Sequence, residues 1–252
     1  MNAGARSTLP VASAAARLHD HLHTTRLLGS IHSTLYYDQN TTMPSAAAEW
    51  RGEQLALVAR QLHQRQSSSE YADLLEAAEA ELAADAPAHA QRNLWLLRQE
   101  LGRQQRLDVS LVDELARAKA RGYALWQLAR SQADFSRFAP ALREMIRLRR
   151  EQASQLDEPR SCWETLAQPF EPDITKARLR DLFEPLRQHL PVLLERVAAL
   201  PDTTAWDLPE GPQEELCSTL LESWGYDPQR CQRARSPHPF SCTLGPADFR
   251  IT

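Results

Sequence analysis

Between Thr175 and Leu200 the residues Leu179, Leu182, Phe183, Leu186, Leu190, Leu193, Leu194, Val197 and Leu200 recur at spacings of three and four. An α-helix gathers such positions on one face, whereas a strand would scatter them over both. The stripe predicts a long amphipathic helix with one buried face, introduced by Thr175, with Pro185 and Pro191 as the places where it would kink or break.

The same period governs most of the chain. Ala14 to Tyr36 carries Leu18, Leu22, Leu27, Leu28 and Ile31 on one side. Tyr37 to Pro44 breaks the pattern, with Asp38 or Thr41 placed to satisfy backbone amides and Ser45 placed to cap the next helix. That helix, about 46–66, turns Leu55, Leu57, Val58 and Leu62 toward a core. Ser67-Ser68-Ser69 precedes a short acidic helix through Leu74, Leu75 and Leu82, and Asp85-Ala86-Pro87 precedes one through Leu94, Leu96, Leu97 and Leu101. Ser110 and Asp134 open two more, and the proline-bearing stretch Glu158 to Asp173 reads as an ordered connection. Past Pro201 the chain is irregular until Pro212 starts a helix running to about Trp224. From Gly225 the helical period fails, leaving an irregular tail over 225–252 with a short strand at Phe249-Arg250-Ile251. With only 8 glycines in 252 residues, long helices are favoured over glycine-built loops. The expected fold is all-α and multi-helix, undivided over 1–252.

Several function classes are disfavoured. The 33 acidic and 29 basic residues are well mixed and give a formal charge of −4, so there is no electrostatic footprint for nucleic acid or an anionic membrane. No apolar run approaches the roughly 20 residues that span a bilayer. Met1 to Ala16 lacks the continuous apolar core of a signal peptide. Cys162, Cys217, Cys231 and Cys242 form no C-x-x-C pair and read as reduced thiols of a cytoplasmic protein. No G-x-S-x-G elbow, phosphate-binding loop or G-x-G-x-x-G is present. Nor does any of the eight histidines head an H-E-x-x-H; His19 and His23 share a helix face, which reads as a solvated one.

The tail is richer in chemistry. Alternation in an extended segment puts Asp248, Arg250 and Thr252 on one face. Arg250 is a planar, permanently charged donor suited to a carboxylate such as a peptide C-terminus, and Asp248 is placed to orient it. A purely structural ion pair, with His238-Pro239-Phe240 as a packing corner, explains the same residues equally well.

Taken in order, the blocks form a pattern. Asp38-Gln39-Asn40-Thr41-Thr42-Met43-Pro44, with Arg51 and Gln54 beyond it, fits D-Q-x-T-x-M-P. Trp126 with Ala129-Arg130 fits W-x-x-A-R, and Asp134-Phe135-Ser136 with Phe138-Ala139-Pro140 fits D-F-x-x-F-A-P. Glu171-Pro172 is followed by Leu182-Phe183, and the chain ends in His238-Pro239-Phe240 and Asp248 to Thr252, a D-x-R-x-T block. This collinear set resembles the M32 metallocarboxypeptidases, zinc-dependent exopeptidases. Tyr37 stands where that family commonly has Trp, Cys162-Trp163-Glu164 where a Tyr-Asp pair is common, and Cys231 to Arg235 where G-R-L-D is usual.

The resemblance implies a zincin-like helical region, a peptide substrate, a homodimer, and a zinc ion that polarises the scissile carbonyl and activates water, with the H-E-x-x-H glutamate as general base. It places His238, Pro239, Phe240, Asp248, Arg250 and Thr252 at the substrate groove. It covers about the N-terminal half of a family member, an incomplete domain without the zinc ligands. The chain alone is therefore expected to hold no zinc, to contain no catalytic residue and to lack peptidase activity. The alternative is a stand-alone helical peptide-binding or scaffold protein derived by truncation, or one half of a split enzyme that pairs with a complementary C-terminal half. Either way, an exposed apolar surface that favours self-association is expected.

Overall fold

The computed structural model describes residues 12–83, 85–200 and 209–252. Most of the N-terminal segment read for a signal peptide, and the stretch 201–208 expected to be irregular, lie outside these residues. In chain order the described elements are α1 (Ala14–Thr41), a 3-10 turn (Ser45–Ala47), α2 (Ala48–Ser67), α3 (Ser69–Glu81), α4 (Ala88–Gln105), α5 (Val109–Ser131), α6 (Phe135–Leu156), α7 (Cys162–Ala167), α8 (Lys176–Ala198) and α9 (Glu210–Ser223). The three strands β1 (Cys231–Arg233), β2 (Ser241–Gly245) and β3 (Asp248–Ile251) follow. The all-α expectation holds.

Short polar side chains start many of these helices by taking amide protons that have no partner one turn back. Ser13 accepts from the Ala16 amide at 3.2 Å, Ser68 from Tyr71 at 3.1 Å, Asp134 from Ser136 at 3.0 Å and Thr175 from Arg178 at 3.1 Å. Ser161 and Glu164 form a reciprocal capping box on α7, and Glu164 also accepts from the Lys176 amide at 2.9 Å. Bonds from the Ser161 hydroxyl, then from the Lys176 and Ser161 amides, hold the Glu164 carboxyl down to about 2. One carboxylate thus ties the connection before α8 to the first residue of α8.

Two apolar clusters form the core. Leu18 of α1, Tyr71 and Leu75 of α3 and Leu101 of α4 are buried together, and Leu111 and Ala118 of α5 meet Leu148 of α6. Between them α2 packs on α1 and α5. Its Gly52 faces Ala120, where an added Cβ would lie 3.7 Å from the alanine methyl carbon.

Four local expectations are corrected. The break expected from Tyr37 is the last turn of α1, where Asn40 and Thr41 donate to the Tyr36 and Tyr37 carbonyls at 2.6 and 2.7 Å and add bonds inside the helix. Ser45 caps nothing; it opens the 3-10 turn behind Pro44, and α2 begins at Ala48 without a side-chain cap. Leu27, Ile31, Leu57 and Leu96 face solvent instead of the core. The largest difference is α8. It runs through Pro185 and Pro191 unbroken, yet none of its residues is buried, and Phe183 and Leu194 are 57% and 64% exposed. Period determines which side of a helix is apolar; burial needs a facing surface, and none among the described residues covers this one.

The tail is more ordered than its composition suggests. It holds the expected strand and two more, in the order β1-β3-β2, with β1 parallel and β2 antiparallel to β3. Cys242 sits opposite Arg250, and Thr243 opposite Phe249. Leu244 is buried, and its carbonyl accepts from the Ser30 hydroxyl, so the sheet lies on α1.

Candidate substrate-groove edge

The strand β3 places Asp248 and Arg250 two residues apart, on one face. Arg250 donates from Nε to Asp248 Oδ1 and from Nη2 to Oδ2 at 2.9 Å, a two-pronged pair. That bonding pulls the Asp248 carboxyl below the usual carboxylate range and raises the guanidinium further. Nη1 takes part in neither bond, and the Arg250 side chain remains 22% exposed. The result is a positive group fixed in direction and reachable by a ligand.

Its support comes from α1. The guanidinium carbon lies 5.3 Å from the centroid of the Tyr37 ring, within cation–π range. Tyr37 is buried, and its hydroxyl has no hydrogen-bond partner among the described residues. Burial raises its pKa, with Arg250 opposing. The Phe240 ring meets Tyr36 and Tyr37 edge-on at 5.8 and 6.1 Å. Opposite Arg250, Cys242 is a free thiol whose pKa burial raises.

Thr252 does not join the Asp248–Arg250 pair. Its hydroxyl accepts from the Phe240 amide at 2.8 Å and donates to the Phe240 carbonyl at 3.0 Å, while its own amide donates to that carbonyl at 2.9 Å. These bonds seal the end of the His238-Pro239-Phe240 segment to the end of β3. His238 and Pro239 are exposed. From α5, Arg130 donates to the Pro237 carbonyl, and its guanidinium carbon lies 5.4 Å from the Trp126 ring centroid. Two blocks more than a hundred residues apart in sequence thus meet at one edge.

The Asp38 block is a second network beside the first. Arg51 donates to Asp38 Oδ2 at 2.6 Å, to the Leu35 carbonyl at 2.6 Å and to Gln54 Oε1 at 2.9 Å, while Thr42 donates to Asp38 Oδ1 at 2.6 Å. Gln39 reaches the Ala120 carbonyl at 3.5 Å. The matched residues of this block therefore hold α1, α2 and α5 in register, and through Tyr37 they set the wall on which Arg250 rests.

Tyr37 and Arg130 were not singled out from sequence as neighbours of the tail, nor was Cys242, within it, as the residue opposite Arg250. A signal existed for one of them, since Tyr37 keeps an aromatic ring where Trp is common. His19 and His23 are exposed with ring centroids 6.3 Å apart, in keeping with a solvated face. Among the described residues, no group of three or more His, Cys, Asp or Glu side chains could hold a metal ion, so these residues do not fit a zinc site. The edge as built can orient a carboxylate; its described side chains do not set up a nucleophile and base.

The sequence pattern of the Carboxypeptidase Taq (M32) metallopeptidase family matches residues 17–252. Thermostable carboxypeptidase 1 of Thermus thermophilus is 31% identical over 243 residues, covering 90% of this chain and 48% of the relative. The crystal structure of the M32 carboxypeptidase from Deinococcus radiodurans is 26% identical with a TM-score of 0.76, over 94% of this chain and 48% of that one. Metallocarboxypeptidase 1 of Trypanosoma cruzi is 26% identical with a TM-score of 0.75, over 94% of this chain and 49% of that one. The chain spans about half the length of the relatives it matches. It belongs to the Carboxypeptidase Taq (M32) metallopeptidase family.

Proposed function

We propose that this segment works as the N-terminal, helical half of a zinc-dependent carboxypeptidase that removes C-terminal residues from peptides. In that role the Asp248–Arg250 pair lies at the substrate groove and meets peptide carboxylate or carbonyl oxygens. His238, Pro239 and Phe240 shape its rim, and Thr252 fixes that rim in place. The observation that carries the reading is the two-pronged Asp248–Arg250 pair, held against Tyr37 with part of its guanidinium open to solvent. Zinc would polarise the scissile carbonyl and activate water, held by residues other than the described ones. The four free cysteines suit a cytoplasmic setting.

The test is replacement of the matching segment of the Thermus thermophilus carboxypeptidase by residues 17–252 of this chain. The hybrid is expected to release C-terminal amino acids from N-blocked dipeptides in a zinc-dependent way, and the 252-residue chain alone is expected to release none. A folded, zinc-loaded hybrid without activity would contradict the reading, as would release by the chain alone.

A further inference from the structure

A cavity of about 240 Å³ lies between α1, α2, α5 and α6, sharing only Tyr36 and Trp126 with the residues described around the Arg250 edge. Its walls include His32 and Tyr36 from α1, Lys119, Tyr123 and Trp126 from α5, and Met145 from α6. The lining is largely apolar, and the Tyr123 and Trp126 rings lie tilted with centroids 5.6 Å apart. Lys119 is exposed at this cavity, and its ammonium lies 4.7 Å from the Tyr36 ring centroid. No carboxylate pairs with it among the described residues. Its charged neighbours are like-signed or titratable to a cation: Arg149 on α6 and His32 on α1. A cation set in aromatic walls without a counter-ion is complementary to an anion carrying an apolar body.

We propose that this cavity binds a small carboxylate with an aromatic or branched apolar body. The ammonium of Lys119 takes the carboxylate, and the Tyr36, Tyr123 and Trp126 rings take the body. His32, half-buried and free of hydrogen bonds within the described residues, is placed to donate to the second carboxylate oxygen. The volume lies below the roughly 300–1,000 Å³ of pockets for drug-sized ligands, which favours a single small acid over a peptide chain. A carboxylate has the planar, diffuse charge that tolerates an apolar surround better than a doubly charged phosphate does, because the desolvation of one charge is the smaller penalty.

Desolvation of the ammonium among these walls lowers the Lys119 pKa, and Arg149 lowers it further. The test uses 3-phenylpropanoate and its neutral amide, titrated into the purified chain and followed by tryptophan fluorescence and calorimetry. Saturable binding of the acid is expected, with the amide at least about tenfold weaker, the discrimination a charge-assisted contact provides. Lys119→Met keeps the apolar stem and removes the charge, so acid and amide are expected to bind it alike. No saturable binding of the acid up to about 10 mM overturns the proposal, since that is weaker than about 3 kcal/mol of affinity. Equal binding of acid and amide to the unaltered chain overturns it too, a comparison that stands even if the variant fails to fold.

Discussion

Arg51 on α2 reaches back across the inter-helix turn to Asp38 on α1, its Nη2 2.6 Å from Asp38 Oδ2, while its Nη1 holds the Leu35 carbonyl. Arg51 is 12% exposed, so its removal leaves partners that water only partly repairs. Arg51→Met is expected to destabilise the fold by about 1–3 kcal/mol, read as a lower midpoint in urea unfolding. The Asp38 carboxyl lies below its usual range, first through the Thr42 hydroxyl and then through Arg51. A lowered carboxylate pKa contributes stability above the unfolded value of about 3.9, and that contribution is lost as pH falls through the folded value. Asp38→Asn is expected to flatten this acid limb.

Tyr37 offers the opposite sign. Its buried hydroxyl has no partner among the described residues, and a buried hydroxyl without a hydrogen bond costs about 1–3 kcal/mol. Tyr37→Phe keeps the ring under Arg250 and removes that penalty. The midpoint of thermal unfolding is expected to hold or rise; a fall would show that the hydroxyl is satisfied in solution.

His21 is the buried histidine of its cluster. Arg65 Nη2 lies 3.3 Å from its Nδ1, and since a guanidinium can only donate, Nδ1 accepts and the ring is neutral. Its ring stacks on Tyr71 with centroids 5.0 Å apart. Burial first, then Arg65, lowers its pKa. The unfolded chain therefore binds the proton more readily, so this stability is full above about 6.5 and is lost as pH falls through the folded value. Unfolding midpoints measured from pH 8 to pH 5 are expected to drop on the acid side of that window. In His21→Asn, whose amide oxygen still accepts from Arg65, the drop is expected to be smaller.

The open face of α8 leads to a further expectation. Leu182, Phe183, Leu186, Leu190 and Leu194 are each about half exposed or more along one helix. Contiguous apolar surface of this kind favours association. Sedimentation of the 252-residue chain is expected to show mass rising with concentration, and Leu186→Glu with Leu190→Glu to shift it toward monomer. A clean monomer at high concentration would contradict this.

Helix positions were legible because period and capping act locally: the stripe from Leu179 to Leu200 and the helix starts at Asp134 and Thr175 are where spacing and side-chain chemistry put them. The fate of the stripe was not, because burial depends on what faces it. The turn at Tyr37 to Thr41 was misjudged for a related reason. Polar residues there read as a break, yet Asn40 and Thr41 bond back into the helix while Asp38 holds a guanidinium from the next one. In the tail, alternation correctly put Asp248 and Arg250 together. It could not bring in Tyr37 or Arg130, because those contacts arise only when distant elements meet, nor Cys242, whose place opposite Arg250 depends on the register of β2 on β3.

In the proposed role Arg250, oriented by Asp248 and backed by Tyr37, serves substrate recognition. Its most direct measurement compares kcat/KM of the hybrid carboxypeptidase carrying residues 17–252 with that of its Arg250→Met variant, at equal zinc content and unchanged unfolding midpoint. Removing a charge-assisted contact worth about 1.5–3 kcal/mol is expected to lower kcat/KM at least about tenfold. A folded, zinc-loaded Arg250→Met hybrid with undiminished kcat/KM would make the pair purely structural and contradict the account.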